Sequence, residues 1–182
     1  NYTCDSNLAY RPEFISNDYQ NGKKVLSSLE YELLHCDAFS ISVAFIKMSG
    51  IEPLLQIFKQ LENRGVPGRI LTTDYLTFSE PEAFDKLNSL NNIKLKMYQT
   101  EGQRDGFHTK GYIFKDGKIY RIIVGSSNLT SSAITINQEW NTKLVSSEEG
   151  SIAKDIVSEF DRLWNSDRAL DYNEFIADYR VR

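Results

Sequence analysis

At 182 residues, 41% of them hydrophobic, the chain is long enough to bury one full core and short for two. Charged residues make up 25% and the net charge is −4, which excludes wholesale disorder and any long-range pull on nucleic acid, so phosphate binding would have to be local. No apolar run approaches the roughly 20 residues of a membrane span and no leader pattern is found, so a cytoplasmic protein off the membrane is expected.

The two cysteines, Cys4 and Cys36, fall in no paired metal-binding spacing. This argues against a zinc site and against a secreted disulfide scaffold, and fits a reducing compartment. A start at Asn1 rather than Met is consistent with a piece of something longer.

Residues 1–18 are polar and aperiodic, and Arg11-Pro12 points to an extended arm. Val25, Leu29 and Leu33 then recur at helical spacing. Phe39 to Ile46 alternates at first and becomes continuously apolar, as a buried strand does. Ser49-Gly50-Ile51-Glu52 reads as a capping box opening a helix with Pro53 in its first turn, and Asn63-Arg64-Gly65 ends it. Arg69 to Thr73 is the next strand. Ser79-Glu80-Pro81-Glu82 reads as a second capping box, for a helix to about Leu90, and Ile93 to Tyr98 as a third strand. This strand–helix alternation predicts a parallel α/β sheet.

The second half changes character. Phe107–Lys115 and Lys118–Gly125 read as strands joined by the hairpin signal Asp116-Gly117, and Glu139–Val145 as another strand. Ser146-Ser147-Glu148-Glu149 reads as a third capping box, leading a helix with Ile152, Ile156, Phe160 and Leu163 along one face. Tyr172, Phe175, Ile176 and Tyr179 form a last apolar stripe at helical spacing. The expected fold is α/β: a mixed, mostly parallel sheet flanked by helices on both faces.

His108 and Lys110, two apart in a strand, share a face. An imidazole beside an ammonium packs poorly, because each opposes charging of the other, but the pair suits a phosphate. The hairpin brings Gly125-Ser126-Ser127-Asn128 near the same strand end, where glycine permits close backbone approach and the polar side chains supply hydrogen bonds. Glu139, at the start of the following strand, could orient His108 through its second ring nitrogen. Plain explanations remain open for each: an exposed strand histidine, a capped turn, a solvated carboxylate. Arg104, Lys110, Lys115, Lys118 and Arg121 crowd into 18 residues, which alone reads as a solvated face.

Taken in order, His108-Thr109-Lys110, Gly125-Ser126-Ser127-Asn128 and Glu139 resemble the phospholipase D superfamily, whose signature is HxK followed by GSxN. Where that family carries an Asp five residues after the Lys, this chain has Lys115, with Asp116 one further on. The departure fits the nuclease branch better than the lipase and transferase branches. The phrases FHTKGYIF, GSSNLTSSA, QEWNTKL and SVAFIKMSG are similar to the phospholipase D-like N-terminal domain of bacterial helicase-like restriction proteins, over roughly residues 10–165. The resemblance implies an arm over 1–18, a phospholipase D-like half-unit over 19–165, and a helical tail or linker to a further domain over 166–182. No GxxxxGK[ST] loop occurs, so any helicase motor lies outside this chain.

The same resemblance assigns roles. His108 would attack phosphorus to give a covalent phosphohistidine, Lys110 and Asn128 would hold the non-bridging oxygens, and Glu139 would orient His108. Ser126 and Ser127 would add hydrogen bonds to the phosphate, or Ser126 to the Glu. The family uses two HxK half-sites and this chain has one. His35 has no Lys two residues on and suits a helix C-terminus. The resemblance therefore implies a homodimer with a composite site, acting on DNA without metal or cofactor. Asp74, Asp105 and Asp116 show no clustered-carboxylate pattern. Two rival expectations are a catalytically silent dimerisation and DNA-binding module, and a phospholipid hydrolase or transferase.

Overall fold

The structure, a computed structural model, describes residues 10–100 and 106–182; Cys4, Arg104 and Asp105 fall outside the described residues. Its strands are β1 (Glu13–Ile15), β2 (Ala38–Ser42), β3 (Gly68–Thr73), β4 (Ile93–Tyr98), β5 (Gly111–Asp116), β6 (Ile119–Gly125), β7 (Asn141–Ser147) and β8 (Ala169–Asp171). Its helices are α1 (Val25–His35), α2 (Met48–Ile51), α3 (Leu55–Asn63), α4 (Pro81–Asn88), α5 (Ser131–Thr135), α6 (Ser151–Trp164) and α7 (Tyr172–Arg180). The strands form one sheet in the order β1-β7-β6-β5-β2-β3-β4-β8.

This overturns the expectation of a mostly parallel sheet. Among the described residues only β2–β3 and β3–β4 pair in parallel, whereas β1–β7, β7–β6, β6–β5, β5–β2 and β4–β8 are antiparallel. The physical reason lies in the connections. A parallel pair needs a crossover long enough for a helix, which only the β2-α3-β3-α4-β4 stretch supplies. From β5 onward the chain returns on itself. Asp116 pairs with Ile119 across a turn in which Gly117 takes a φ of +58°, and β5 docks antiparallel beside β2.

Alternation along the strands serves two layers. Phe39, Ile41, Ile70, Met97 and Tyr112 join the larger core with α1, α3, α4 and α7. Leu71, Ile113 and Ile122 turn to the opposite face and pack with Phe160, Leu163 and Trp164 of α6. The C-terminal stripe is seated in the larger core: Phe84 of α4 meets the rings of Phe175 and Tyr179 edge-on, and the Tyr179 hydroxyl donates to the Ser79 carbonyl.

The three expected capping boxes are not the caps that form. Lys47, Glu80 and Gly150 occupy the N-cap positions of α2, α4 and α6 without side-chain cap bonds. Ser79 instead accepts from the Ile46 N–H, and Glu80 from the Met48 N–H, both across the chain. A true capping box opens α7, where Asp171 and Glu174 cap reciprocally. Asp171→Ala is expected to cost about 1 kcal/mol and to lower Tm by about 2–4 °C in a chain of this size. Thermal unfolding followed by circular dichroism measures it; an unchanged Tm would mean that α7 is held by its apolar stripe alone.

Candidate active site

The long apolar run after Phe39 does not stay in the sheet. β2 ends at Ser42; the Val43 N–H still donates to the Leu71 carbonyl of β3 at 3.0 Å, but the N–H groups of the fully buried Ala44 and Ile46 bond outside the sheet. The N–H groups of Ala44 and Phe45 both donate to Asn128 Oδ1 at 3.1 Å, and the Phe45 carbonyl accepts from Leu129 N. A buried N–H left without a partner costs about 1–3 kcal/mol, so Asn128 closes an account that the sheet leaves open. With its oxygen committed, Asn128 has only its two amide N–H donors to offer a ligand.

β5 begins at Gly111, later than expected, so His108 and Lys110 lie on the segment that enters the strand. That segment is held from both sides. Gly125 N donates to the Lys110 carbonyl at 3.1 Å, and the hydroxyls of Thr109 and Ser42 bond to each other. Phe107 is buried beside Tyr98, with ring centroids 5.4 Å apart. His108 is exposed, and the Lys110 ammonium donates to the His108 carbonyl at 3.3 Å. His108 and Lys110 thus sit next to each other on the segment just before β5.

The Gly125-Ser126-Ser127-Asn128 turn sits against the start of β7. A Cβ on Gly125 would stand 2.2 Å from the Trp140 carbonyl oxygen, so only glycine fits there. Ser126 is exposed, and its hydroxyl donates to the buried Glu139 carboxylate while accepting from Trp140 N at 3.1 Å. Glu139 is thereby tied to Ser126. Among the described residues no hydrogen bond joins it to His108. Burial first, and the nearby Glu139 charge second, push the Tyr112 phenol up. That phenol donates to the Ser127 carbonyl at 2.9 Å.

Ser127 has no exposed surface. Its hydroxyl accepts from Asn141 Nδ2 at 2.9 Å and its N–H donates to Asn141 Oδ1, so it faces the interior and braces the turn. Asn141, which sequence reasoning missed, also reaches the Ile15 carbonyl of β1. His35 closes α1, stacked on Tyr31 with Nδ1 2.6 Å from the Tyr31 carbonyl oxygen.

A second missed residue touches His108 directly. Tyr75 follows β3 in a short 3-10 turn and meets the imidazole edge-on, with centroids 5.0 Å apart. The next two residues, Leu76 and Thr77, carry φ of +54° and +50°, costly for side chains of this kind. No apolar periodicity marks this turn. Asp74 anchors it by accepting from both the N–H and the hydroxyl of Thr100 at 2.8 Å. Among the described residues no group of three or more His, Cys, Asp or Glu side chains is placed to hold a metal.

The arrangement is an exposed imidazole, a neighbouring ammonium and an amide with committed oxygen, gathered where β5, β6 and β2 end together. Known proteins share this frame. Three solved structures are similar in fold: NucT from Helicobacter pylori, at a TM-score of 0.69 and 17% identity over 90% of this chain and 99% of that one; Nuc from Salmonella typhimurium, a phospholipase D family member, at 0.66 and 17% over 89% and 99%; and phosphatidylserine synthase from Haemophilus influenzae, at 0.61 and 14% over 88% of this chain but 39% of that one. No curated protein matches the chain in sequence. The family described as "Cardiolipin synthase, PLD-like domain" matches residues 37–164, well over half of the chain and all of the site described above. The chain therefore belongs to the phospholipase D superfamily, as a phosphodiesterase-type enzyme.

Proposed function

We propose that this chain is a metal-independent nuclease module that cuts DNA through a covalent phosphohistidine, with its site completed by a second copy of the chain. The observation that carries the reading is the trio of His108, Lys110 and Asn128 at one strand end, in the order that the nuclease branch of the family uses. His108 attacks phosphorus, forming a P–N bond as the P–O bond to the leaving oxygen breaks. That oxygen takes its proton from His108 of the partner subunit acting as general acid. Water then attacks phosphorus, its proton passes to the same partner histidine, and the P–N bond breaks to release free His108. Lys110 and the N–H donors of Asn128 neutralise the equatorial oxygens, whose charge is greatest in the transition state. Glu139 supports Ser126 and the turn.

Support for the twofold pairing comes from the turn that carries Tyr75, the ring in contact with His108. Leu76 and Phe78 are 55% and 53% exposed, and Phe78 and Tyr75 pack around Phe45 at 5.1 and 6.4 Å between centroids. Exposed apolar side chains on the turn whose Tyr75 touches an exposed histidine are the kind of surface that an isologous interface through that histidine would bury. The larger protein would be a restriction or defence protein of helicase-like type, with the motor outside this chain. A second reading, transfer or hydrolysis of phosphatidyl groups, is favoured by the description of the matched family. Against it stands Lys115 at the position where the family has its Asp. Among the described residues no helix is long and apolar enough to cross a membrane.

Plasmid and oligonucleotide cleavage in EDTA tests the chemistry. Wild type is expected to cut, His108→Ala to be inert, and Asn128→Ala to lose about 10²-fold or more, as when one transition-state donor is removed. Cutting by His108→Ala at the wild-type rate, or abolition by EDTA, would refute the mechanism. Hydrolysis of phosphatidylcholine with no cutting of DNA would install the second reading instead.

Sedimentation tests the pairing. Wild type is expected to run as a dimer, and the double variant Leu76→Glu, Phe78→Glu as a folded monomer without cleavage, because both side chains are solvent-facing and their loss spares the core. An active wild-type monomer would overturn the composite site.

A further inference from the structure

An exposed imidazole that attacks phosphorus has to be held in one orientation, and the group expected to hold His108 does not reach it. The Glu139 carboxylate is bonded to the Ser126 hydroxyl, and the Lys110 ammonium donates to the His108 carbonyl rather than to its ring. The side chain that does meet the imidazole is Tyr75, at 5.0 Å between ring centroids and 71° between ring planes. That is the edge-to-face arrangement that rings of this kind prefer.

The Tyr75 ring is itself fixed. Phe45 lies stacked on it, at 6.4 Å and 26°, and the Phe45 N–H is one of the two that Asn128 Oδ1 accepts. Two contacts, through Phe45 and Tyr75, therefore join Asn128 to His108. The turn that carries Tyr75 is costly. Leu76 and Thr77, which follow it, are the two non-glycine residues with positive φ among the described residues. The turn is pinned at both ends. Asp74 accepts from the Thr100 N–H and hydroxyl with its carboxylate, and from the Thr77 N–H with its carbonyl. At the far end Ser79 accepts from the Ile46 N–H, and the Glu80 N–H donates to the Ile46 carbonyl, both at 3.0 Å. Strain of this kind persists only where the surroundings over-determine it, and it clusters at functional groups.

We propose that Tyr75 is the positioning residue for His108: its ring holds the imidazole in the attacking orientation, and the strained turn between Asp74 and Ser79 aims that ring. The inference rests on the nuclease reading above and deepens it, giving to an aromatic ring the task first expected of Glu139. A ring contact restricts the imidazole without engaging either of its nitrogens. The nucleophile is thereby oriented while the atom that must attack stays open. The Tyr75 hydroxyl makes no hydrogen bond among the described residues, so the contact belongs to the ring alone.

The two histidines make the placement measurable, since each lies against a different tyrosine, His108 against Tyr75 and His35 against Tyr31. Proton–carbon NMR of the imidazoles in the full chain, with cleavage kinetics in EDTA and sedimentation, compares wild type with Tyr75→Ala and Tyr75→Phe. In Tyr75→Ala the His108 signals are expected to shift as the neighbouring ring is lost, while the His35 signals stay in place and report an intact fold. Its kcat is expected to fall about 10²-fold, the scale of a misplaced reacting group, with KM changed by less than about twofold. Tyr75→Phe keeps the ring and is expected to return both the His108 signals and kcat close to wild type. Unmoved His108 signals in Tyr75→Ala, a change in KM alone, or an equal loss of kcat in Tyr75→Phe would overturn the role. So would a Tyr75→Ala chain that sediments unlike wild type, since its loss would then be one of pairing. Shifted signals in a protein that cuts no DNA even as wild type would uphold the hold of Tyr75 on His108 and overturn the nuclease reading alone.

Discussion

The site depends on one side chain, the Asn128 amide, reaching across to the end of β2. By accepting from both Ala44 and Phe45, it lets a fully apolar segment leave the sheet without stranding its N–H groups in the core. The same two bonds orient Asn128, since a carboxamide whose oxygen is held by two backbone donors can present only N–H groups to a phosphate. The residue is a structural clamp and, on the proposed function, a donor as well. Ser127 completes the division of labour by facing the interior, where Asn141 and Tyr112 hold it.

The antiparallel half carries a second constraint, an ionic one. Glu32 of α1 is almost fully buried, and it meets Lys143 of β7 at 3.4 Å and Arg121 of β6 at 3.8 Å. Lys143 also reaches Glu13 at 3.1 Å, its register partner on β1. Such a group adds little net stability over an apolar replacement, but an unpaired member would be costly. Its consequence is register: a slip of β7 by one residue would turn Lys143 to the other face and leave Glu32 with Arg121 alone. Since Glu139 and Asn141 lie at the start of β7, this register also sets where the carboxylate and amide meet the turn.

How far the sequence could be read follows from the range of each interaction. The α1, α3 and α4 stripes and the β5–β6 hairpin are local patterns, and they appear where spacing and turn chemistry place them. Pairing of β5 with β2 is not local: nothing in either segment names its neighbour, and the first three strands bias the reading toward a parallel sheet. The S-x-x-E triplets mislead for a related reason. Ser79 and Glu80 have the chemistry of caps, but they spend it on Ile46 and Met48, residues more than thirty positions away. His108, Lys110, Asn128 and Glu139 stand out in the sequence because they fall in short motifs at the ends of adjacent strands, although Glu139 is bonded to Ser126 and not to His108 among the described residues. Tyr75 does not stand out, since its contact with His108 is made by the turn after β3, and only its backbone strain marks it.

His108 is exposed, and the phosphohistidine chemistry proposed for it would need water kept out until the second step. Within one chain the imidazole has Tyr75 on one side and no buried carboxylate hydrogen-bonded to it among the described residues. A free nucleophile in that position would compete with solvent for its own phosphate. The exposed apolar pair Leu76 and Phe78 costs solubility for nothing if the surface stays open. Covered by the same surface of a second copy, it would exclude water and supply the missing proton donor in one step. On the proposed pairing, the exposure of His108 and the presence of one HxK in the chain would have the same cause, a site of which this chain supplies one half.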